Sequence, residues 1–427
     1  MKVGEAALPV DARRAVQSVG RQTWSALTEW PTRALKTRVL LGLLVTCLAW
    51  PAFRIYVDIV DVLRTGGRHY LDAAFLAWSW SSFIHQAAAP VKIYNPTALY
   101  AFQHAMDHSF AAPQPFAYPP PFLLLIWPLG LLPQVPAYLL WIGVTLPLYL
   151  WVCWYRPWGW RTAALGLLIP STVVVVLNAQ NGFLTGALMV GGCRMVDRRP
   201  VLAGVLFGLL AFKPQFGLLV PVALVSAGAW RSIVAAVATV LLTALASSAV
   251  FGWSMWWALP RAMQGLSRTV AASPKVAHLS PTVTAAMHTL GSGTDATTAA
   301  QVFSGLLTAG AVWLCFRRGF GRLPVAALLV GLFFTTPYAF LTDLPVVGYA
   351  ILSVVIDRHE MGDPFGPVEI VVLIMAVLLP YLMVESTMPW GALVLVLLFG
   401  LIIRRWYAEL RRSALPGSSI VFASVPE

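Results

Sequence analysis

The sequence predicts an all-α polytopic membrane protein, and three features support this fold class. First, 59% of the 427 residues are hydrophobic and only 11% are charged, whereas an average globular chain carries about a quarter charged residues. Second, long stretches lack any charge, among them 39–53, 162–193 and 370–384, and a spanning helix needs about 20 apolar residues. Third, the chain lacks the alternating strands of about ten residues that are typical of a membrane β-barrel.

Apolar segments follow one another along the chain and predict one membrane domain, 38–404. The proline-rich segment 119–133 is expected to be re-entrant or half-length, because neighbouring helices can shield a broken backbone. If this segment does not cross the membrane, loops that alternate between the two sides from a cytoplasmic N-terminus give about twelve spans. The expected spans are 38–57, 135–153, 163–178, 183–196, 200–212, 215–229, 232–251, 302–316, 324–340, 344–357, 368–385 and 390–404.

Basic residues set the expected orientation of these spans. The formal net charge is +12, and Lys and Arg concentrate in the cytoplasmic loops of membrane proteins. Arginines precede the first span and follow several later ones, so residues 1–37 and 405–427 are predicted to be cytoplasmic tails. This distribution explains the positive charge without nucleic-acid binding, which we do not expect.

Two long loops, at about 58–118 and 252–301, then fall on the outer side of the membrane. Loops longer than about 15 residues are usually functional or disordered, and the first loop is rich in aromatic residues. Within it, the stretch 72–85 predicts an aromatic helix near the interface, where Trp is favoured. We therefore expect the chemistry of this protein to lie in these two loops.

Ionisable residues lie at the ends of the predicted spans, which argues against an ion-coupled transporter with a midplane site. The chain contains no dinucleotide fingerprint and no P-loop. An outer carboxylate could act as general base on a hydroxyl, and outer cations could stabilise a departing lipid phosphate. This pattern favours a substrate that is carried on a lipid, and a lipid or sugar transporter is the alternative from another class.

Metal binding is weakly indicated. His104 and His108 have the i, i+4 spacing of a helical metal pair, and His85 and Asp107 lie nearby in the sequence. No further ligand is obvious, so we expect neither a metal nor another cofactor.

The stretch 116–133, FAYPPPFLLLIWPLGLLP, places Tyr118 and three consecutive prolines ahead of an apolar run. Prolines stop an ordinary helix and remove backbone donors, so they predict a fixed bend at the membrane surface. The bend would present Tyr118 to a groove for a lipid chain. The alternative is a rigid loop-to-helix junction without substrate contact.

Six segments between 67 and 344 carry a resemblance to a known family. They are GRHYLDAAFLAW (67–78), IYNPTALYAF (93–102), AYPPPFLLLIWPLGLLP (117–133), NAQNGFLTGALMVGG (178–192), LAGVLFGLLAFKPQFGLLVPVALV (202–225) and TPYAFLTDL (336–344). In this order they resemble the bacterial glycosyltransferase family 87, which comprises polyprenyl-phosphate-sugar-dependent, α-mannosyltransferase-like enzymes of the GT-C membrane fold.

The resemblance implies a GT-C-type helix bundle in a bacterial inner membrane. It implies transfer of a sugar, mannose in the first place, from polyprenyl phosphate to a lipid or glycan acceptor at the outer face. The family's general base is an Asp in the first outer loop, and Asp72 is the nearest match, with Asp58 and Asp61 as rivals. Asp72 could also cap the helix that follows it.

The remaining candidates bind the substrates. Lys213 is expected to hold the donor phosphate, unless it only extends its charge to the interface. Further candidates for phosphate or acceptor contacts are Arg268, Lys275 and His278, for which a solvated loop is the alternative. Candidates for substrate binding are Tyr118, Gln180, Asn181, Tyr338 and Asp343, of which the two amides could instead tie helices together.

Two positions depart from the family pattern. Asn95 stands where the family commonly has Asp, and Leu341 stands where it often has a second Asp two residues before Asp343. A catalytically inactive assembly protein is therefore a further alternative.

Overall fold

The computed structural model of the chain describes residues 75–106, 114–272 and 277–413, without the side chains of 266–272 and 413. Every regular element in these ranges is a helix, which confirms the all-α prediction for this part of the chain. The first helices are α1 (Leu76–Gln86), α2 (Pro96–Met106), α3 (Pro121–Ile126), α4 (Gln134–Val152), α5 (Trp160–Leu168), α6 (Pro170–Asn178), α7 (Gly182–Met195), α8 (Pro200–Leu209) and α9 (Val220–Ser226).

The remaining described helices follow in the second half of the chain. These are α10 (Trp230–Phe251), α11 (Ser254–Ala272), α12 (Val283–Thr289), α13 (Thr294–Phe316), α14 (Arg322–Thr335), α15 (Pro345–Met361), α16 (Pro367–Val377), α17 (Leu379–Glu385) and α18 (Trp390–Ser413). Short 3₁₀ turns connect several helices, at Pro90–Tyr94, Trp127–Leu131, Arg156–Trp158, Leu210–Phe212, Pro214–Gly217 and Leu341–Asp343.

The buried centre of the bundle consists of α7, α14 and α15. In α14 every residue from Arg322 to Phe334 is buried, and most of α7 and α15 is buried as well. The helix α14 packs against α13, α15 and α18, while α7 packs against α4, α8 and α15. A helix that is apolar on all sides belongs inside a bundle, which explains the central position of these three.

The outer helices α4, α10, α13 and α18 expose apolar side chains. Leu139, Leu242 and Leu306 are 63%, 66% and 69% exposed, respectively. All four helices are long and apolar enough to cross a membrane. Their exposed leucines therefore form the surface that faces lipid, and the protein is a helical membrane protein.

The expected number of spans is not confirmed. The described residues contain four helices that could cross a membrane, or up to six if each bent pair counts as one span. The two bent pairs are α5 with α6, at 69°, and α16 with α17, at 60°. Pro170 and Pro380 stand in the first turn of the second helix of each pair. Each pair is interrupted there because proline lacks the backbone N–H that would continue the preceding helix.

The proline-rich segment 119–133 forms α3 and the turn Trp127–Leu131. Its helical part, Pro121–Leu131, is roughly 16–19 Å long at the rises of α- and 3₁₀-helices, which is little more than half of the hydrocarbon thickness of a bilayer. Its length is that of the half-length element expected from the sequence.

Two glycines allow α8 and α10 to approach closely. A Cβ atom on Gly204 would overlap the Ser232 carbonyl oxygen and the Ala235 side chain, and one on Gly208 would overlap Thr239. The glycines are four residues apart, which is the small-residue spacing of closely packed membrane helices. The contact fixes α8, whose carboxyl end leads into the site described below.

Arginine–carboxylate pairs gather at the other ends of α14 and α15. Arg322 at the start of α14 binds Glu360 near the end of α15, with Nη1 2.5 Å from Oε2. Arg405 binds Asp357 at 2.6 Å, so α18 joins the same end. The bundle thus has an arginine-rich end, and the candidate site lies at the opposite ends of α14 and α15.

Candidate active site

The candidate site lies where four segments of the chain interrupt their helices. Tyr118 precedes α3, and Asn181 precedes α7. Lys213 stands between the turns Leu210–Phe212 and Pro214–Gly217, and Asp343 ends the turn that precedes α15. Prolines at 119–121, 214 and 345 keep these breaks from becoming continuous helix, so polar side chains can meet at one place.

Lys213 and Asp343 form an ion pair at the centre of the site. The Lys213 ammonium binds Oδ1 of Asp343, and each residue is only 4% exposed. The second carboxylate oxygen, Oδ2, accepts the backbone N–H of Phe340 at 3.0 Å. This bond caps the turn Leu341–Asp343 with the side chain of its last residue, and it fixes the direction of the carboxylate.

Two hydrogen bonds hold Tyr118, one at its backbone and one at its side-chain hydroxyl. Its backbone carbonyl accepts the Tyr94 hydroxyl at 2.6 Å, and its own hydroxyl accepts Nδ2 of the buried Asn181 at 3.0 Å. Burial raises the pKa of Tyr118, while Lys213 lowers it and Asp343 raises it. The hydroxyl therefore stays protonated near Lys213, and no described residue accepts its proton.

Tyr338 completes the polar cluster. It interacts electrostatically with Tyr118 and Asp343, and its ring packs edge-to-face on Phe340 with centroids 4.8 Å apart. Its backbone N–H donates to the Thr336 hydroxyl at 3.1 Å. The site thus contains two tyrosine hydroxyls, one amide and one ammonium, all of which can donate hydrogen bonds.

Stacked aromatic rings support the cluster from behind. Tyr118 packs on Phe122 with centroids 4.5 Å apart, and Phe122 stacks on Phe212 at 5.1 Å. Trp80 of α1 contacts the Tyr118 ring at 5.5 Å. Because Phe212 directly precedes Lys213, this aromatic stack fixes the backbone from which the lysine extends.

A close backbone contact joins α7 to the turn that carries Asp343. A Cβ atom on Gly182 would overlap the Thr342 carbonyl oxygen. In the preceding turn Ala179 has a left-handed backbone, with φ of 45°, which reverses the chain between α6 and α7. Reading the sequence missed Gly182, Tyr94 and Phe340 as site residues, and of these only the glycine within NAQNG carries a visible signal.

The other candidates from the sequence lie on segments beside this cluster or fall outside the described side chains. Gln180 is half-buried, and its backbone carbonyl accepts the Trp141 indole N–H at 3.5 Å. His278 is half-buried on the segment beside the turn, where Leu341 N–H donates to the Leu279 carbonyl at 3.0 Å. Outside the described side chains lie Asp58, Asp61, Asp72, Arg268 and Lys275.

Of the metal candidates, two lie within the described residues and two outside them. His85 donates its Nε2–H to the Trp127 carbonyl, 2.9 Å away, and His104 lies on α2. Asp107 and His108 fall outside the described residues. Across the described ranges, no three His, Cys, Asp or Glu side chains are grouped so that they could hold a metal.

The fold and the site define a helical membrane protein with a buried polar cluster that contains a lysine. The family model described as Glycosyltransferase family 87 matches residues 116–342, which is more than half of the chain, and the chain belongs to this family. It is therefore a membrane glycosyltransferase, and its substrates are a sugar donor and an acceptor. No curated protein and no solved structure matches the chain. The matched region contains Tyr118, Asn181, Lys213 and Tyr338.

Proposed function

We propose that this glycosyltransferase moves a sugar from a polyprenyl-phosphate donor to a hydroxyl of a lipid or glycan acceptor. Mannose is the first candidate for the sugar. The single observation that carries the proposal is the buried Lys213 beside the protonated hydroxyl of Tyr118. A buried ammonium with neighbouring hydroxyl donors suits a phosphate, since hydrogen bonds to a charged group are about twice as strong as neutral ones.

The reaction is a single displacement with inversion. An oxygen of the acceptor hydroxyl forms a bond to the anomeric carbon of the donor sugar, while the bond from that carbon to the phosphate oxygen breaks. The electron pair of the broken bond stays on the phosphate, and the hydroxyl proton goes to a carboxylate base. Lys213 and Tyr118 stabilise the charge that develops on the leaving phosphate.

The base comes from the first outer loop. Asp72 is our first candidate, and Asp58 and Asp61 are the rivals, because the family resemblance requires an Asp in that loop. Arg268, Lys275 and His278 are proposed to contact the donor phosphate or the acceptor from the second loop. Asn181, Tyr338, Asp343 and Gln180 are proposed to contact the substrates.

The proposal places the site at the outer face of a bacterial inner membrane. The arginine-rich end of the bundle, which includes Arg322 and Arg405, is expected to face the cytoplasm by the positive-inside rule. The Lys213 cluster lies at the opposite ends of α14 and α15, and a lipid-linked donor in the outer leaflet would present its phosphate there.

The test is sugar transfer from radiolabelled polyprenyl-phosphate-mannose in membranes that contain the wild type, Lys213→Met or Asp72→Asn. We expect product in the wild type, a loss of about a hundredfold or more for Lys213→Met, and a comparable loss for Asp72→Asn. The matched control is Lys92→Met, which removes an exposed lysine and should not change the rate.

Thermal unfolding in detergent must show that each variant is folded. Lys213→Arg supplies a second variant that keeps the charge and should retain part of the activity. Full activity of folded Lys213→Met would contradict the proposed phosphate site, and full activity of Asp72→Asn would transfer the base role to Asp58 or Asp61. Donor binding without any product would favour the inactive assembly protein, and movement of the donor between leaflets would favour a transporter.

A further inference from the structure

Lys213 has a counterion within the protein itself. Asp343 neutralises its ammonium within a site where each of the two residues is 4% exposed. The carboxylate is held by the Phe340 N–H on its other oxygen, so it stays beside Lys213 when a ligand arrives. Any phosphate that binds Lys213 must therefore compete with a carboxylate that cannot diffuse away.

The charge of the phosphate changes during the proposed reaction. The sugar donor is a phosphodiester with one negative charge, whereas the product is a phosphomonoester with a charge of about −1.5 to −2 at neutral pH. Coulomb attraction grows with charge and is strong where water is excluded. A lone buried lysine would thus hold the product more tightly than the donor, and product release would become slow.

We propose that Asp343 is the intramolecular competitor that displaces the polyprenyl-phosphate product from Lys213. This inference rests on the proposed function. Lys213 exchanges the carboxylate oxygen for a phosphate oxygen when the donor binds, and it returns to the carboxylate when the product leaves. No covalent bond forms or breaks in the exchange, and Asp343 influences release of the product through Lys213, in addition to the substrate contact proposed above.

The informative variant is Asp343→Asn. Asparagine has nearly the same shape, and its carbonyl oxygen can still accept the Phe340 N–H, so the 3₁₀ turn keeps its cap. The carboxylate charge is lost, and Lys213 is left without its competitor. We expect the product to bind about tenfold or more tightly than to the wild type, because removing one member of a buried pair exposes the full attraction of the other.

The measurement is binding of a radiolabelled polyprenyl monophosphate to purified protein in detergent micelles, with no sugar or acceptor present. Wild type, Asp343→Asn, Lys213→Met and the double variant are compared. We expect tight binding to Asp343→Asn, weaker binding to the wild type, and no gain in the double variant relative to Lys213→Met. In transfer assays, Asp343→Asn should show a lower KM for the donor, a lower kcat and an initial burst of product.

The outcomes separate the two proposals. If the wild type transfers sugar but Asp343→Asn binds the monophosphate no more tightly, Asp343 does not release the product and the proposed function stands. If folded Asp343→Asn binds the monophosphate more weakly than the wild type, Asp343 supports the site rather than competing for Lys213, and the inference is wrong. If no variant, including the wild type, binds the monophosphate or transfers sugar, the proposed function fails and this inference fails with it.

Discussion

The Lys213 ammonium and the Asp343 carboxylate form a buried ion pair across 130 positions of the chain. The pair connects the break after α8 to the break before α15, and it lies beside the hydroxyl of Tyr118. Because the pair is buried, its two charges depend on each other for stability as well as for binding. The first prediction concerns that dependence.

Removing either charge alone should destabilise the protein more than removing both. Lys213→Met leaves a buried carboxylate without its partner, and we expect a loss of about 3–5 kcal/mol in unfolding free energy. The double variant Lys213→Met, Asp343→Asn removes both charges and should recover most of that loss. The measurement is thermal unfolding in detergent, compared over the four proteins of the double-mutant cycle. Additive losses in the double variant would contradict a coupled pair.

A second prediction concerns Gly182, which lets α7 touch the turn that carries Asp343. In Gly182→Ala the new methyl group meets the Thr342 carbonyl, which is backbone and cannot rotate away. We expect a loss of about 1–3 kcal/mol of stability and a lower transfer rate, because the turn must shift and move Asp343 away from Lys213. The measurements are thermal unfolding and initial rates of sugar transfer.

The matched control for Gly182 is Gly143→Ala. Gly143 lies within α4, and a Cβ atom there would meet nothing within 4 Å. Alanine is also a better helix former than glycine by about 1 kcal/mol, so this variant should be as stable as the wild type or more so. Equal stability and rate in both alanine variants would show that the contact between Gly182 and Thr342 has no role.

The fold class could be predicted from the sequence because it depends on composition. A bilayer requires helices that are apolar over most of their length, and this chain has little else. The number of spans could not be predicted in the same way. Pro170 and Pro380 bend apolar stretches that read as continuous, and α14 is apolar but has only 14 residues.

The residues of the site were easier to find than their arrangement. The sequence indicates Lys213 for the phosphate and Asp343 for the substrate, each without reference to the other. Their pairing depends on which interrupted helices meet in the bundle, and the sequence around either residue does not indicate this. The placement of Gln180 depends on the left-handed backbone of Ala179, which is unusual for alanine and therefore unpredictable from residue type.

A third prediction tests the contact between α8 and α10. Gly204→Ala and Gly208→Ala each place a methyl group against the backbone or side chains of α10. We expect each to destabilise the protein by about 1–3 kcal/mol, measured as thermal unfolding in detergent. Since α8 leads directly to Lys213, the transfer rate should fall too. Gly310→Ala, on α13 with nothing within 4 Å of the new Cβ atom, is the control that should lower neither value.

The close contact also explains why both glycines are needed. The overlap at Gly204 involves Ser232 and Ala235, whereas the overlap at Gly208 involves Ala236 and Thr239, one turn further along α10. A shift of α10 that relieved one contact would leave the other in place. If either alanine variant unfolds at the wild-type temperature, the two helices can separate without loss, and the small-residue spacing is not a packing requirement.

A final prediction concerns the Tyr118 hydroxyl. Tyr118→Phe keeps the ring between Trp80, Phe122 and Phe212 but removes the acceptor of the Asn181 amide. A buried donor that loses its partner costs about 1–3 kcal/mol, so the variant should be less stable.

The same change should weaken donor binding, because the protonated hydroxyl is proposed to donate to the phosphate beside Lys213. We expect KM for the donor to rise severalfold and kcat to fall, measured with radiolabelled polyprenyl-phosphate-mannose. Tyr100→Phe, on α2, is the matched control with unchanged kinetics. If Tyr118→Phe loses stability but keeps the wild-type KM and kcat, its hydroxyl only supports Asn181. The prolines that follow it would then form a rigid junction without substrate contact, and Lys213 would hold the phosphate without help from Tyr118.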